Sequence, residues 1–249
     1  MNRPPSPLYV AFQFLTRLPF PPRGPADPHT VGRSLLHYPL VGAVIGLLLA
    51  ATGWFLSATP PPIQASLVLA LWVALTGALH LDGLADSVDA WVGGLGDRRR
   101  TLEILRDPRA GPMGVVALVV LLLVKYSALQ AIAVRGEWWP VILIPMLARG
   151  AMLWLFLSTP YARREGLGAP IARHLPRRKA LFVSMLVPLI TLTIGGSRGL
   201  LMVVATALLL LLMRRTMQRR LGGTTGDTAG ALLETVEATT LLVHALLPA

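Results

Sequence analysis

The chain alternates long apolar blocks with short, strongly basic connections. A helix of about 20 apolar residues crosses a bilayer. Blocks that meet or approach that length fall at residues 36–58, 64–81, 113–134, 138–158 and 229–247. Two shorter blocks, 180–194 and 199–213, flank Gly195-Gly196-Ser197 and predict a helical hairpin turned there. The pattern therefore predicts seven transmembrane helices in an all-α, polytopic bundle, one membrane domain over residues 1–249. Residues 7–20, PLYVAFQFLTRLPF, are apolar but too short to span. They predict a helix lying on the interface and ended by Pro19, Pro21 and Pro22. Trp138 and Trp139 predict an aromatic anchor at the opposite interface.

Composition supports this reading. Hydrophobic residues make up 54% of the chain and charged residues 14%, against roughly 25% charged in a soluble domain. The absence of cysteine excludes a disulfide framework, a thiolate metal site and a cysteine nucleophile. The proline-rich start carries no long apolar core before a small-residue cleavage site, so no secretory signal is expected. A net charge of +11 would suit a nucleic-acid binder, but its distribution gives a plainer reason. Of 23 Lys and Arg residues, 19 lie in the N-terminal segment and in 98–109, 163–179 and 214–220, which seven spans put on one side. The loops of the other side hold Arg135 and Arg198, while Lys125 and Arg149 fall inside spans. Basic loops are cytoplasmic. The expected placement is a multi-pass protein of the cell inner membrane, N-terminus inside and C-terminus outside. No nucleic-acid-reading module accompanies the charge, so the expected surroundings are lipid and not nucleic acid. Association with further copies of the chain stays open.

Acidic residues are few, and nine of the 12 sit in two segments on the basic side. In HLDGLADSVDAWVGG, residues 80–94, helical spacing puts Asp82, Asp86 and Asp89 on one face. Three like charges there need a cation, and oxygen-only ligands suit Mg²⁺. Gly83 would let a metal or phosphate come close to the backbone. Ion pairing with nearby arginines is the plainer alternative. In residues 98–114, RRRTLEILRDPRAGPMG, Arg106 and Arg109 flank Asp107 in a turn built on Pro108, Gly111, Pro112 and Gly114. These two arginines are candidates to grip phosphate, whereas Arg98-Arg99-Arg100 read as a solvated topology signal. In residues 219–237, RRLGGTTGDTAGALLETVE, Gly222, Gly223, Thr224 and Thr225 form a candidate anion-binding loop before a helix. Asp227, Glu234 and Glu237 share one side of that helix. His80 reads as a polar helix end. Lys125 and Arg149 read as members of buried charge pairs as readily as functional groups.

These motifs resemble those of cobalamin synthase, the adenosylcobinamide-GDP ribazoletransferase family. The likeness rests on HLDGLADSVDAWVGG, LRDPRAGPMGVVAL, GGTTGDTAGALLETVE, FLTRLPF at 14–20 and PLVGAVIG at 39–46, in family order along nearly the whole chain. It implies a Mg²⁺-requiring membrane enzyme that joins adenosylcobinamide-GDP to α-ribazole or α-ribazole 5′-phosphate and releases GMP. The candidate metal ligands are then Asp82, Asp86, Asp89, Asp227 and Glu234. Asp86, Asp227 and Asp89 are the candidate catalytic acids, with Asp89 the expected base as the carboxylate nearest solvent. Gly222 to Gly226 are expected to close over the substrate phosphates. The DGLAD stretch is also similar to the acidic motif of CDP-alcohol phosphotransferases, although Asp86 stands where that motif has an arginine. A phospholipid phosphotransferase and a cation transporter are the rival readings. A transporter is expected to carry mid-membrane acids and internal repeats, and no repeat is seen.

The charge asymmetry makes a topology prediction. Asp97→Cys, Arg178→Cys and Gln218→Cys, made singly, should react with an impermeant thiol reagent only from the cytoplasmic side. Labelling of any one from outside contradicts seven spans.

Overall fold

The computed structural model describes residues 4–21, 23–107, 109–163, 166 and 168–247. Eleven α-helices occur among them: α1 (Pro7–Leu15), α2 (Pro28–Ser34), α3 (Tyr38–Phe55), α4 (Pro61–Thr76), α5 (Leu79–Gly93), α6 (Arg98–Ile104), α7 (Pro112–Arg135), α8 (Pro140–Ser158), α9 (Gly168–His174), α10 (Arg177–Leu221) and α11 (Gly226–Leu246). Pro7, Pro28, Pro61, Pro112 and Pro140 each begin a helix. The first turn needs no proline N–H, and the fixed φ suits it.

Five of these helices are long and apolar enough to cross a membrane, and α4 and α5 meet the same measure only together, as a pair broken by a sharp bend. A further crossing comes from α10, whose helix breaks at Gly196 (φ 54°, ψ −131°). Only glycine adopts that backbone without strain. The two arms fold back on each other: Arg177 Nη2 donates to Leu157 O (2.6 Å) and Arg214 Nη2 to Ser158 O (2.9 Å), so both ends of α10 meet the same end of α8. The predicted hairpin is therefore present, with arms longer than the apolar blocks alone indicated.

α8 is the central span. Some 78% of its apolar stretch is buried, against 17% for α10 and 22% for α7. It packs on α3 through Gly42 and Gly46, one turn apart, where the two backbones touch. A Cβ on Gly46 would lie 2.5 Å from Val141 O and 2.7 Å from Ile142 Cα. Small residues at this spacing let membrane helices approach closely.

Sidedness follows the charge pattern. Arg98, Arg163, Arg177, Arg214 and Arg220 all bond main chain or acids at one end of the bundle. At the other end Arg198 pairs with Glu137 (2.8 Å), and Arg135 Nη1 donates to Leu247 O (2.8 Å).

Three expectations are corrected. The second span ends at Thr76. Gly77 (φ 61°) and Ala78 (φ 57°) are both left-handed and turn the chain by 87°, at a cost of about 1–2 kcal/mol for Ala78. α5 thus leaves the axis of α4 and packs against α11 and α7. The interfacial helix stops at Leu15, because Arg17 N leaves it to donate to Leu75 O (2.7 Å). Trp138 is no lipid anchor: it is 1% exposed, its ring packed on Gly53. Pro22 and Pro108 lie outside the described residues.

The α3–α8 contact yields a stability prediction. Gly46→Val should cost about 1–3 kcal/mol through overpacking, read as a lowered denaturation midpoint in detergent. Exposed Leu40→Val should leave the midpoint unchanged.

Candidate active site

Two acidic segments meet at the basic end. α5 crosses the start of α11, and the crossing is tight because Gly83 has no side chain. A Cβ there would lie 2.8 Å from Asp227 O and 3.0 Å from Asp227 Cα. One turn along α11, a Cβ on Gly230 would lie 3.3–3.5 Å from His80. Asp82 and Asp227 thereby line one cavity of about 330 Å³. Arg163 joins them, with Nη2 3.0 Å from Asp227 Oδ2 and also donating to Leu105 O at 3.0 Å. Its Nε is buried without a protein partner. The rest of the wall is aromatic and apolar, including Phe14, Tyr38, Phe156 and Tyr161. Another crevice, about 310 Å³ between α8 and both arms of α10, has no titratable side chain in its lining.

Asp86 follows Asp82 by one turn and is half-buried. Burial, then the carboxylates of Asp82, Asp227 and Asp89, push its carboxyl up to about 6, against the pull of Arg163. This is the electrostatic sign of acids from two helices converging on one place.

Asp89 is placed differently from its expected role as the solvent-facing base. Its Oδ2 accepts from Gly111 N (2.7 Å) and its Oδ1 from Gly114 N (2.9 Å). It caps α7 from another helix, supplying what N-cap Gly111 cannot. Asp82, not Asp89, is the exposed member of the trio.

Glu234 stands apart from the proposed metal ligands. It begins two turns beyond Asp227, about 10 Å deeper along the axis, inside the spans. There Lys125 Nζ lies 2.5 Å from Glu234 Oε2 and 2.7 Å from Glu237 Oε2, and Arg149 Nη1 pairs with Glu237 Oε1. Lys125 also sits over the Trp72 ring, 4.7 Å from its centroid. All four charged residues are at most 3% exposed, and their charges cancel.

The glycine loop is structural. Thr224 N donates to Pro160 O (2.9 Å) and Ala162 N to Thr224 O (2.8 Å), which pins the loop to the chain after α8. Thr224 and Thr225 are fully buried. The Thr225 hydroxyl accepts from Thr228 N, and that of Thr224 meets Thr228 Oγ1 at 3.0 Å. Gly222 caps α10, and Gly223 abuts Pro160 O. The loop is thus held at Thr224 and Thr225, while Gly226 lines the cavity. Arg109 is held bidentate by Asp107, which it draws down to about 2. Arg106 is exposed on the surface. Sequence reasoning missed Arg163 and Tyr161: they stand in a connector with neither an acidic motif nor periodicity, and only its basic character marked it.

Among the described residues no three acidic or imidazole groups already form a metal-holding cluster. Mg²⁺ still fits the donors present. It is held by one or two carboxylates together with water and substrate phosphates, not by an all-protein cage.

Fold and site together define a polytopic helical membrane protein with an acidic, arginine-bearing site at the basic end of its bundle. The chain matches the cobalamin-5-phosphate synthase family over residues 7–245, and it belongs to that family. It is 52% identical to the adenosylcobinamide-GDP ribazoletransferase of Pseudomonas entomophila over 97% of this chain and 99% of that protein. The proteins of the same name from Stutzerimonas stutzeri and Pseudomonas aeruginosa are 54% and 53% identical, each over 96% of this chain and 98% and 97% of theirs. No solved structure matches the chain.

The buried charges make a prediction. Lys125→Met or Glu234→Gln alone strands a charge in the core and should cost about 3–5 kcal/mol of stability. The Lys125→Met/Glu234→Leu pair removes both partners and should recover most of it, in a denaturation series on purified protein. Full stability of either single variant would contradict the network.

Proposed function

We propose that the chain is an adenosylcobinamide-GDP ribazoletransferase whose site faces the cytoplasm from the inner membrane and works with Mg²⁺. The observation that carries this reading is the crossing of α5 on α11, with Asp82, Asp227 and Arg163 at one cavity. The position of the basic segments at that same end supports the cytoplasmic placement.

The reaction is a phosphoryl transfer. A ribose hydroxyl of α-ribazole or its 5′-phosphate attacks the phosphorus on the cobinamide side of the diphosphate. A new P–O bond to the ribose forms, the bridging P–O bond breaks, and GMP leaves with that oxygen and its electron pair. The hydroxyl proton passes to a carboxylate. Such a step asks the protein for positioning and charge neutralisation. Arg163 supplies a guanidinium at the cavity, held by Asp227 and Leu105 O until a phosphate takes its donors. Asp86, raised to about 6 by burial and by its acidic neighbours, is the carboxylate suited to accept the proton at neutral pH. Asp89 fixes the start of α7 against α5 and so positions the acids. Asp82 and Asp227 would hold Mg²⁺, which when bound neutralises charge on the substrate phosphates.

Purified protein in lipid, given both substrates and Mg²⁺, should release GMP in step with the cobalamin product. Release should stop in chelator. Asp86→Asn should stay folded and lose about 10²–10⁴-fold in rate. Only deprotonated Asp86 accepts a proton, so the wild-type rate should fall as the pH drops into the acid range. GMP release without ribazole, or wild-type turnover by Asp86→Asn, would contradict the assignment.

A further inference from the structure

The cavity has two unlike halves. Asp82, Asp227 and Arg163 form the polar one. The other is built from aromatic rings that already stack in pairs: Phe14 on Tyr38 (centroids 6.2 Å apart) and Phe156 on Tyr161 (6.2 Å). His80 also lines the cavity. It is 96% buried, since only 4% of its surface is exposed. Neither ring nitrogen has a protein hydrogen-bond partner. A buried polar group without a partner is costly, and native structures keep few of them. A ligand acceptor that pairs with this imidazole N–H removes part of the cost.

Resting on the function proposed above, we infer that this cavity is the seat of the nucleoside substrate: the benzimidazole of α-ribazole lies among the four aromatic rings, its free ring nitrogen bonded to His80, its ribose toward Asp82 and Asp227. Size favours this occupant. About 330 Å³ is at the small end of small-molecule sites, roughly 300–1,000 Å³, and a corrinoid does not enter it. Chemistry separates the nucleoside from the guanosine end of the other substrate. A benzimidazole bonded to ribose through one nitrogen has a single in-plane acceptor left. An imidazole offers at least one N–H donor in any protonation state, and one donor satisfies one acceptor. Guanine brings several donors and acceptors, and in this half of the cavity most of them would be buried unpaired, at a cost for each. Aromatic walls also favour a flat ligand through stacking. The nucleoside's reactive hydroxyl is then delivered to the carboxylates, while the larger diphosphate substrate meets them from the open side.

The test uses purified full-length protein in lipid, with α-ribazole and adenosylcobinamide-GDP varied separately. His80→Leu removes the donor and keeps a buried apolar side chain. Phe14→Ala opens the aromatic wall on α1 and carries the test if the histidine variant fails to fold. Each should raise the KM for α-ribazole about tenfold, the equivalent of one neutral hydrogen bond or stacked ring. Each should leave the KM for adenosylcobinamide-GDP and inhibition by GMP unchanged. His80→Asn, which retains an N–H, should recover part of the loss. Unchanged KM for α-ribazole in the folded variants, or a shift confined to GMP and adenosylcobinamide-GDP, would overturn the pocket assignment. Failure of the wild-type protein to form any cobalamin from the two substrates would instead overturn the underlying function.

Discussion

Glu237, shared between Lys125 and Arg149 in the interior of the spans, sets the orientation of the helix that carries half of the site. Charges at that depth must be matched, because unpaired ions in a low-dielectric interior are expensive. Two cations from α7 and α8 and two carboxylates from α11 cancel one another. The match holds only if the Glu234 and Glu237 side of α11 faces α7 and α8. Asp227 lies seven residues before Glu234, only ~20° from the same face. The rotation that pairs the buried acids therefore points Asp227 inward at the end of the helix, where α5 crosses. A device for burying charge in the membrane becomes a device for aiming a carboxylate at its mouth.

The crossing explains why the acids of α5 form a site and not merely a charged surface. The 87° turn at Gly77-Ala78 takes α5 off the axis of α4, and the bare backbone of Gly83 lets it settle on Asp227. Asp89 then locks the far part of α5 to the start of α7. What results is a rigid acidic floor with Arg163 and an aromatic recess beside it. Rigid elements position reacting groups more accurately than loops.

Much of this was legible in the chain. Long apolar blocks gave the spans, and Gly195-Gly196-Ser197 gave the hairpin. The placement of arginines gave the basic end of the bundle, and DGLAD with GDT gave the two acidic partners. Where structure and expectation part, the causes are physical. Glu234 shares a helix face with Asp227, but periodicity reports direction and not depth, and the structure pairs it with Lys125. Asp89 was expected at the solvent edge because it lies farthest beyond the end of the second apolar block. Beyond the bend it meets the start of α7, where two backbone N–H groups occupy it. Thr224 and Thr225 follow glycines, as residues of a phosphate loop do, yet their bonding is spent on capping α11 and on the strand-like pairing with Tyr161. Arg163 and His80 were invisible in their functional setting. The contacts that define them join segments far apart in sequence, which no local pattern encodes.

The central claim is that α5 and α11 contribute acids to one site. A double-mutant cycle on Asp82 and Asp227 tests it most directly. Asp82→Asn and Asp227→Asn should each remove nearly all GMP release by folded protein in lipid. The double variant should lose little more than either single one, because groups that act as a unit are strongly non-additive. Losses that simply multiply would mean that the two carboxylates act independently, and would contradict a shared site.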